Sequence, residues 1–180
     1  MTGDGLQACD ELNLVILRRY EIQEHHQYRH YYAPAPHNRI VTAEKAEEEE
    51  EEEEQKNITV TWERPILHAR ISVGARELDV INLHLKSRLP SDIKGQKLDQ
   101  YTWKTASGWA EGFFIPPMKR VGQALEARML IDKLFDVDKD AWIVVCGDFN
   151  AEFDEVKPSG GRLKIRATAG WQGVSCFPVR

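Results

Sequence analysis

Two short polar clusters follow strand-like apolar runs, and their side chains are of kinds that carry out acid–base and phosphate chemistry. Residues 82–85 read Asn-Leu-His-Leu, and residues 147–150 read Gly-Asp-Phe-Asn. The imidazole of His84 can transfer a proton near neutral pH, and the carboxylate of Asp148 can activate water or hold a hard cation. Each cluster alone has a plainer interpretation. A single histidine after a strand is often structural, and residues such as Asp148 and Asn150 favour turns and helix caps.

The elements that must position these clusters follow in the order strand, strand, helix, strand. Two β-rich runs, Ile66–Val73 and 78–85, are separated by turn residues 74–77 and predict a hairpin. Both faces of the second run are largely apolar, which predicts a strand covered on both sides. A further apolar strand, 141–146, leads into the second cluster. This chain order, with a helix between the strands, makes the two clusters more specific together than separately.

The helix between the strands is predicted at 118–135, after a Pro116-Pro117 sequence that should stop regular structure on its N-terminal side. Arg128 and Asp132 lie four residues apart and are interpreted as an ion pair at the edge of the core, with an arginine reaching an active-site edge as the alternative. The apolar side of this helix is predicted from helical spacing to comprise Val121, Ala124, Leu125, Ile131 and Phe135.

The segment 87–117 is predicted to be a long aromatic loop, and loops of this length are often functional. Trp103 and Trp109 could stack on a base or cover a lipid. Packing against the domain is the interpretation we favour. In the N-terminal region, His25, His26 and His30 have a spacing that could suit a transition metal, although a polar loop or edge strand is the favoured interpretation.

Length and composition suit one folded domain with a substantial core. The chain has 180 residues, of which 42% are hydrophobic, and its net charge of −5 is due to a run of eight glutamates at 47–54. Such a run repels itself, so we predict an acidic disordered loop over 44–56, with mimicry of nucleic acid as a less favoured alternative. The rest of the chain is mildly basic, which fits a phosphate-bearing partner as well as a neutral ligand.

The cysteines and the apolar stretches indicate the cellular compartment of the protein. Cys9, Cys146 and Cys176 are odd in number and widely spaced, which favours a reduced compartment. The N-terminus has no signal architecture, and no apolar stretch approaches the length of a membrane span. The sequence therefore favours a cytoplasmic protein and leaves its oligomeric state open.

The two clusters resemble the motifs of the endonuclease/exonuclease/phosphatase family, which includes pancreatic deoxyribonuclease, apurinic endonucleases and sphingomyelinases. One strand of that family ends in Asn-x-His-Leu and a later one in Gly-Asp-x-Asn-Ala, as at 82–85 and 147–151 here. The resemblance covers about 14–156, with 14–17 as a buried strand. It implies a four-layered α/β sandwich, in which two mixed sheets pack face to face with helices outside. We expect a partial domain at 1–156 and a divergent, basic, Gly-rich tail at 157–180.

By resemblance, the chemistry is hydrolysis of a phosphoester that depends on Mg²⁺ or Mn²⁺. Asp148 is expected to activate the attacking water or to help hold the metal. Asn150 would donate its amide to the phosphate or position the aspartate, and His84 would bind a phosphate oxygen. The substrate class is left open among nucleic acid, phospholipid and sugar phosphate.

The chain departs from the family pattern in two places. No histidine follows His84 and no acidic residue follows Glu155, so the family's C-terminal Asp-His pair is absent from this sequence. The residue that imitates the family's metal-binding glutamate, Glu24, is expected to be a loop residue. A truncated, inactive remnant that binds phosphate or a partner is therefore the alternative to an enzyme, and a nucleic-acid-binding module that uses the basic tail is a weaker one.

Overall fold

The computed structural model describes residues 14–17, 19–44, 57–150 and 175–179, the last of these as backbone. They form a mixed α/β fold with a five-stranded sheet, in the order β1-β4-β5-β6-β7, and a two-stranded sheet, β2-β3. The elements are β1 (Ile22–Tyr28), β2 (His37–Arg39), β3 (Asn57–Thr59), β4 (Ile66–Val73), β5 (Arg76–His84), α1 (Ala106–Val137), β6 (Trp142–Asp148) and β7 (Ser175–Val179).

The predicted hairpin is confirmed as β4 and β5, which pair antiparallel from Val73 opposite Arg76. The turn is shorter than predicted, because only residues 74 and 75 separate the two strands. Gly74 has a φ of 65°, a left-handed conformation that favours glycine. Two-residue turns of this kind match the twist of the flanking strands, so the hairpin closes two residues earlier than the sequence suggested.

Strands β5 and β6 are parallel neighbours, and α1 is the connection between them. Parallel neighbours need such a crossover, and the helix packs on one face of the sheet. The core on this face is formed by alternate residues of the strands together with the inner side of the helix: Ile66, Ile81, Leu83, Leu85, Ala127, Leu130, Ile131, Ile143 and Val145. Because β5 and β6 run in the same direction, their C-terminal ends lie at one edge of the sheet.

The helix α1 begins much earlier than predicted, and the expected stop at Pro116-Pro117 is wrong. It starts at Ala106 and continues through both prolines. The Thr105 side chain caps the N-terminus by accepting a hydrogen bond from Gly108 N at 2.9 Å. Packing of this first part is close, since a Cβ at residue 112 would lie 2.9 Å from the carbonyl oxygen of Ser91. Tertiary packing therefore outweighs the local preference of proline to end a helix.

The predicted apolar side of α1 is right for Ile131 and Phe135, which lie in or against the core, and wrong for its other three residues. Val121 and Leu125 are 66% and 50% exposed, and Ala124 is exposed as well. Two polar residues, Gln123 and Glu126, are buried instead, because their side chains satisfy backbone groups of neighbouring segments. The Glu126 carboxylate accepts hydrogen bonds from the backbone N–H groups of residues 31 and 32, at 2.7 and 3.2 Å.

Other predictions about the helix and the loop before it have mixed outcomes. The Arg128–Asp132 ion pair is confirmed at 2.7 Å, on the exposed side of the helix. Of the two tryptophans, Trp103 packs beside a small cluster around Val60, whereas Trp109 is 50% exposed on the first turns of α1. The predicted loop is therefore irregular only as far as residue 105.

The N-terminal predictions differ in outcome. Residues 14–17 have no regular structure, and Leu17 is 89% exposed, so the predicted buried strand is wrong. Strand β1 is an edge strand, which confirms the favoured interpretation of His25 and His26. Among the described residues no group of three or more His, Cys, Asp or Glu side chains is placed to hold a metal. Glu24 lies in β1 and pairs with Arg70 at 3.2 Å, so it is not a loop residue.

The second face of β5 is less covered than predicted. Its outward residues are only half-buried, in contrast to the buried residues that face α1. The described residues thus form a mixed α/β fold with one helix on one face of the five-stranded sheet and a separate two-stranded sheet, and the expected four-layered sandwich is not confirmed. Most of the acidic run, 45–56, lies outside the described residues. The C-terminal tail contributes backbone residues 175–179, which pair antiparallel with β6.

Within the described part of the chain, no helix has the length and apolar character needed to cross a lipid bilayer.

Candidate active site

His84 and Asp148 are the last residues of β5 and β6 and occupy paired positions in the parallel register. Their side chains point to the same face of the sheet, with Nε2 of the imidazole 3.5 Å from Oδ2 of the carboxylate. The pairing continues one step beyond the strand, because Leu85 N donates to Asp148 O at 2.9 Å. The crossover through α1 thus brings together two groups that lie far apart in the sequence.

Gly147 allows the two strands to approach at this edge. Its φ is 130°, a backbone conformation that other residues rarely adopt. A Cβ atom at this position would overlap the carbonyl oxygen of Leu83 and lie 3.0 Å from Oδ1 of Asn82. The side chain of Asn82 in turn donates to Val15 O at 3.1 Å, so this residue serves the backbone next to the site.

Asn150 holds the loop after β6 against the end of β5. Its φ is 47°, and its backbone N–H donates to Oδ1 of Asp148 at 2.9 Å. Its side-chain Nδ2 donates to the carbonyl oxygen of Leu85 at 2.8 Å. One of the two amide N–H groups is therefore engaged by the protein itself. The geometry fits a residue that orients the Asp148 carboxylate, one of the two roles expected from the sequence.

The electrostatic surroundings favour a neutral imidazole. Partial burial and the positive charge of Arg64 hold the pKa of His84 below its ordinary value of 6.5, against the opposing effect of the Asp148 carboxylate. At neutral pH, His84 can therefore accept a proton or donate one hydrogen bond. Because a neutral imidazole carries a single N–H group, His84 donates either to Oδ2 of Asp148 from Nε2 or to a ligand, and not to both.

Several basic residues lie around the end of β5, and sequence reasoning missed them. Arg64 precedes β4, and Lys86 follows His84 by two residues. From α1, Arg120 donates to Lys86 O at 3.3 Å. These residues belong to three separate segments and share no motif spacing. The only indication of them in the sequence is the basic character of the chain outside its glutamate run.

Glu63 balances part of this positive charge. It pairs with Lys119 at 2.6 Å and approaches Lys86 at 3.8 Å. Burial pushes the pKa of Glu63 upward, but the hydrogen bond from Lys119 and the two lysine charges outweigh it and hold the pKa below 4.5. Glu63 therefore stays ionised near neutral pH and is committed to the lysines.

The described residues offer few ligands for a divalent cation. Asp148 has a half-exposed carboxylate at the sheet edge, and Mg²⁺ can be held by one or two carboxylates together with water and substrate phosphate. Glu24, the residue that imitates the family's metal-binding glutamate, forms an ion pair with Arg70. Arg70 lies opposite Asp79, which is five residues before His84 in β5. Glu24 is therefore not available beside Asp148, and Asp148 is the described residue that would hold a metal.

Comparisons with protein-family models, with curated proteins and with solved structures found no match.

Proposed function

We propose that this chain binds a phosphoester at the sheet edge formed by His84 and Asp148 and hydrolyses it with the help of Mg²⁺ or Mn²⁺. The observation that carries the proposal is the 3.5 Å approach of the imidazole and the carboxylate at the ends of two parallel strands. Ligands and catalytic groups of open α/β sheets commonly lie outside the carboxyl ends of the strands. The motifs at 82–85 and 147–150 and the cations around them support the same assignment.

Each residue has a role that follows from its contacts. Asp148, with one oxygen fixed by the backbone N–H of residue 150, presents the other toward His84 and orients the attacking water. The neutral His84 imidazole donates a hydrogen bond to a phosphate oxygen. Asn150 fixes the loop that carries the carboxylate. A divalent cation held by Asp148 would supply Lewis-acid stabilisation of the charge that develops on phosphate.

The fold proposed with this function is the four-layered sandwich expected from the sequence. What supports it is the unequal cover of β5. The residues that face α1 are buried, whereas Leu78 and Val80 on the opposite face are apolar and only half-buried, so a second layer over that face would remove apolar surface from water. That second face also carries His84 and Asp148, so a second layer would form the other wall of the cleft.

A second candidate is phosphate binding without hydrolysis. It is favoured by the commitment of Glu63 to Lys119 and Lys86, which leaves Asp148 as the available carboxylate at this edge of the described structure. A site with several cations and one carboxylate binds an anion well and has few groups with which to activate water.

A hydrolysis assay with and without Mg²⁺ tests the proposal. We would use plasmid DNA and bis(p-nitrophenyl) phosphate as substrates and compare the wild type with Asp148→Ala. Asp132→Ala is a matched control because Asp132 is an exposed acid on α1. We expect Mg²⁺-dependent turnover that Asp148→Ala lowers by about a hundredfold or more, with the control unchanged. Equal turnover in both variants would overturn the assignment, and phosphate binding without turnover would establish the second candidate.

A further inference from the structure

One nitrogen of the Arg64 guanidinium group has no hydrogen-bond partner in the described part of the protein. This nitrogen, Nε, is buried. A buried donor without a partner is costly, so it calls for an explanation such as a ligand or a bound water. The forked donors of arginine match the oxygens of a phosphate better than any other side chain does.

Gln123 fixes Arg64 relative to the end of β5. Gln123 is 3% exposed, and its Oε1 accepts a hydrogen bond from Lys86 N at 2.8 Å. Its Nε2 lies 3.2 Å from Arg64 O and 3.3 Å from His84 O. A single buried side chain therefore joins the segment before β4 to both sides of Leu85. The contacts are to backbone groups, so they hold the two segments whatever side chains these carry.

The cations near Arg64 have unequal freedom to bind a ligand. Lys86 and Lys119 share Glu63, as described above, and Arg120 donates to a backbone carbonyl. Arg64, by contrast, has no carboxylate partner within the described structure, although its charge acts on the His84 imidazole. The charge of Arg64 is therefore available for an anion near His84.

We propose that Arg64 binds a non-bridging oxygen of a phosphate group held at the His84–Asp148 edge, and that Gln123 is the residue that positions it. The ligand class is a phosphate monoester or diester, and this assignment rests on the proposed function for the location of the phosphate. Arg64 supplies the positive contact, and His84 faces the same group from β5. Gln123 acts through the backbone of residues 64, 84 and 86 and does not contact the ligand.

Binding of inorganic phosphate, measured by NMR in the absence of metal, tests this inference separately from hydrolysis. The probes are the phosphate dissociation constant and the ¹⁵N signal of the Arg64 Nε–H group. We expect Arg64→Gln to weaken phosphate binding about tenfold or more and Arg64→Lys to restore part of the loss. Arg128→Gln is the control, since Arg128 is exposed and paired with Asp132. Unchanged phosphate affinity in Arg64→Gln would overturn the inference.

A double-mutant cycle separates positioning from a merely structural role. Gln123→Met should weaken phosphate binding in the wild-type background and weaken it less in Arg64→Gln, because part of its effect is exerted through the position of Arg64. Equal losses in both backgrounds would overturn the positioning role. If Arg64→Gln loses phosphate affinity although Asp148→Ala does not alter turnover, the proposed hydrolysis fails while the Arg64 assignment stands. If turnover depends on Asp148 and Arg64→Gln binds phosphate normally, the Arg64 assignment alone fails.

Discussion

Gly147 of β6 lies so close to the carbonyl oxygen of Leu83 in β5 that the two strands can pair only if residue 147 has no side chain. The pair stands directly before His84 and Asp148 in the parallel register. The spacing of the His84 and Asp148 side chains therefore depends on a glycine in the neighbouring position.

The Gly147→Ala variant tests this dependence. We expect it to lower the free energy of unfolding by at least about 2 kcal/mol, because the added Cβ meets both a strained φ and the Leu83 carbonyl. Gly74→Ala is the matched control. Its φ of 65° is also left-handed, but nothing lies within 4 Å of its Cβ position. The control should lose only about 1 kcal/mol. Urea unfolding followed by circular dichroism measures both, and a smaller loss at residue 147 than at residue 74 would contradict the explanation.

Replacement of Asp148 by Asn should lower the pKa of His84 further. The carboxylate raises the pKa, while burial and Arg64 lower it below 6.5, so removal of the carboxylate leaves the lowering effects unopposed. Because the folded-state pKa lies below the unfolded value, the stabilising contribution of neutral His84 is complete above about pH 6.5 and is lost as the pH falls through the folded-state pKa. NMR titration of the imidazole measures the shift. Asp132→Asn should leave it unchanged, and a rise in Asp148→Asn would contradict the assigned geometry.

The buried pair of His68 and Asp79 should make the fold sensitive to acid. Their Nε2 and Oδ1 atoms are 2.8 Å apart, and Arg70 Nε donates to the same oxygen at 3.1 Å. Burial raises the pKa of Asp79, but the hydrogen bond from His68 and the charge of Arg70 outweigh it, so the pKa lies below 3.8. This contribution to stability is complete above about pH 4 and is lost as the pH falls through the lowered pKa.

The Asp79→Asn variant should therefore have a free energy of unfolding lower by about 1.5–3 kcal/mol at neutral pH and unfold at lower urea concentrations. Its stability should also depend less on pH below 4. Glu77→Gln is the control, because Glu77 is an exposed acid on the same strand and lies 3.7 Å from Arg70. It should change stability by less than about 0.5 kcal/mol. Urea unfolding at a series of pH values measures both. If the two variants behave alike, the buried pair is not the source of the acid sensitivity.

Strands β4, β5 and β6 and their order were predictable because they depend on local patterns. The hairpin around residues 74 and 75 follows from two β-rich runs separated by turn residues, and the last strand follows from the apolar run before Gly147. The approach of His84 to Asp148 was also predictable. A helix between two such strands favours a parallel pair, and parallel strands end at the same edge of the sheet.

The helix and the surroundings of the site could not be predicted, because tertiary contacts decide them. Nothing local shows that close packing at Gly112 carries the helix through Pro116 and Pro117. The buried side of α1 was misassigned because Gln123 is buried to serve backbone groups of segments that are distant in sequence. Arg64 was missed for the same reason, since its relation to His84 exists only in three dimensions.

The crossover through α1 also sets the order of events during synthesis. The hairpin of β4 and β5 closes from neighbouring residues, whereas β6 can join it only after the whole helix has been translated. A nascent chain that has emerged as far as the end of α1 carries the imidazole with no carboxylate opposite it. The contact between His84 and Asp148 therefore forms late, after the hairpin and the helix that supply most of the shared core have been synthesised.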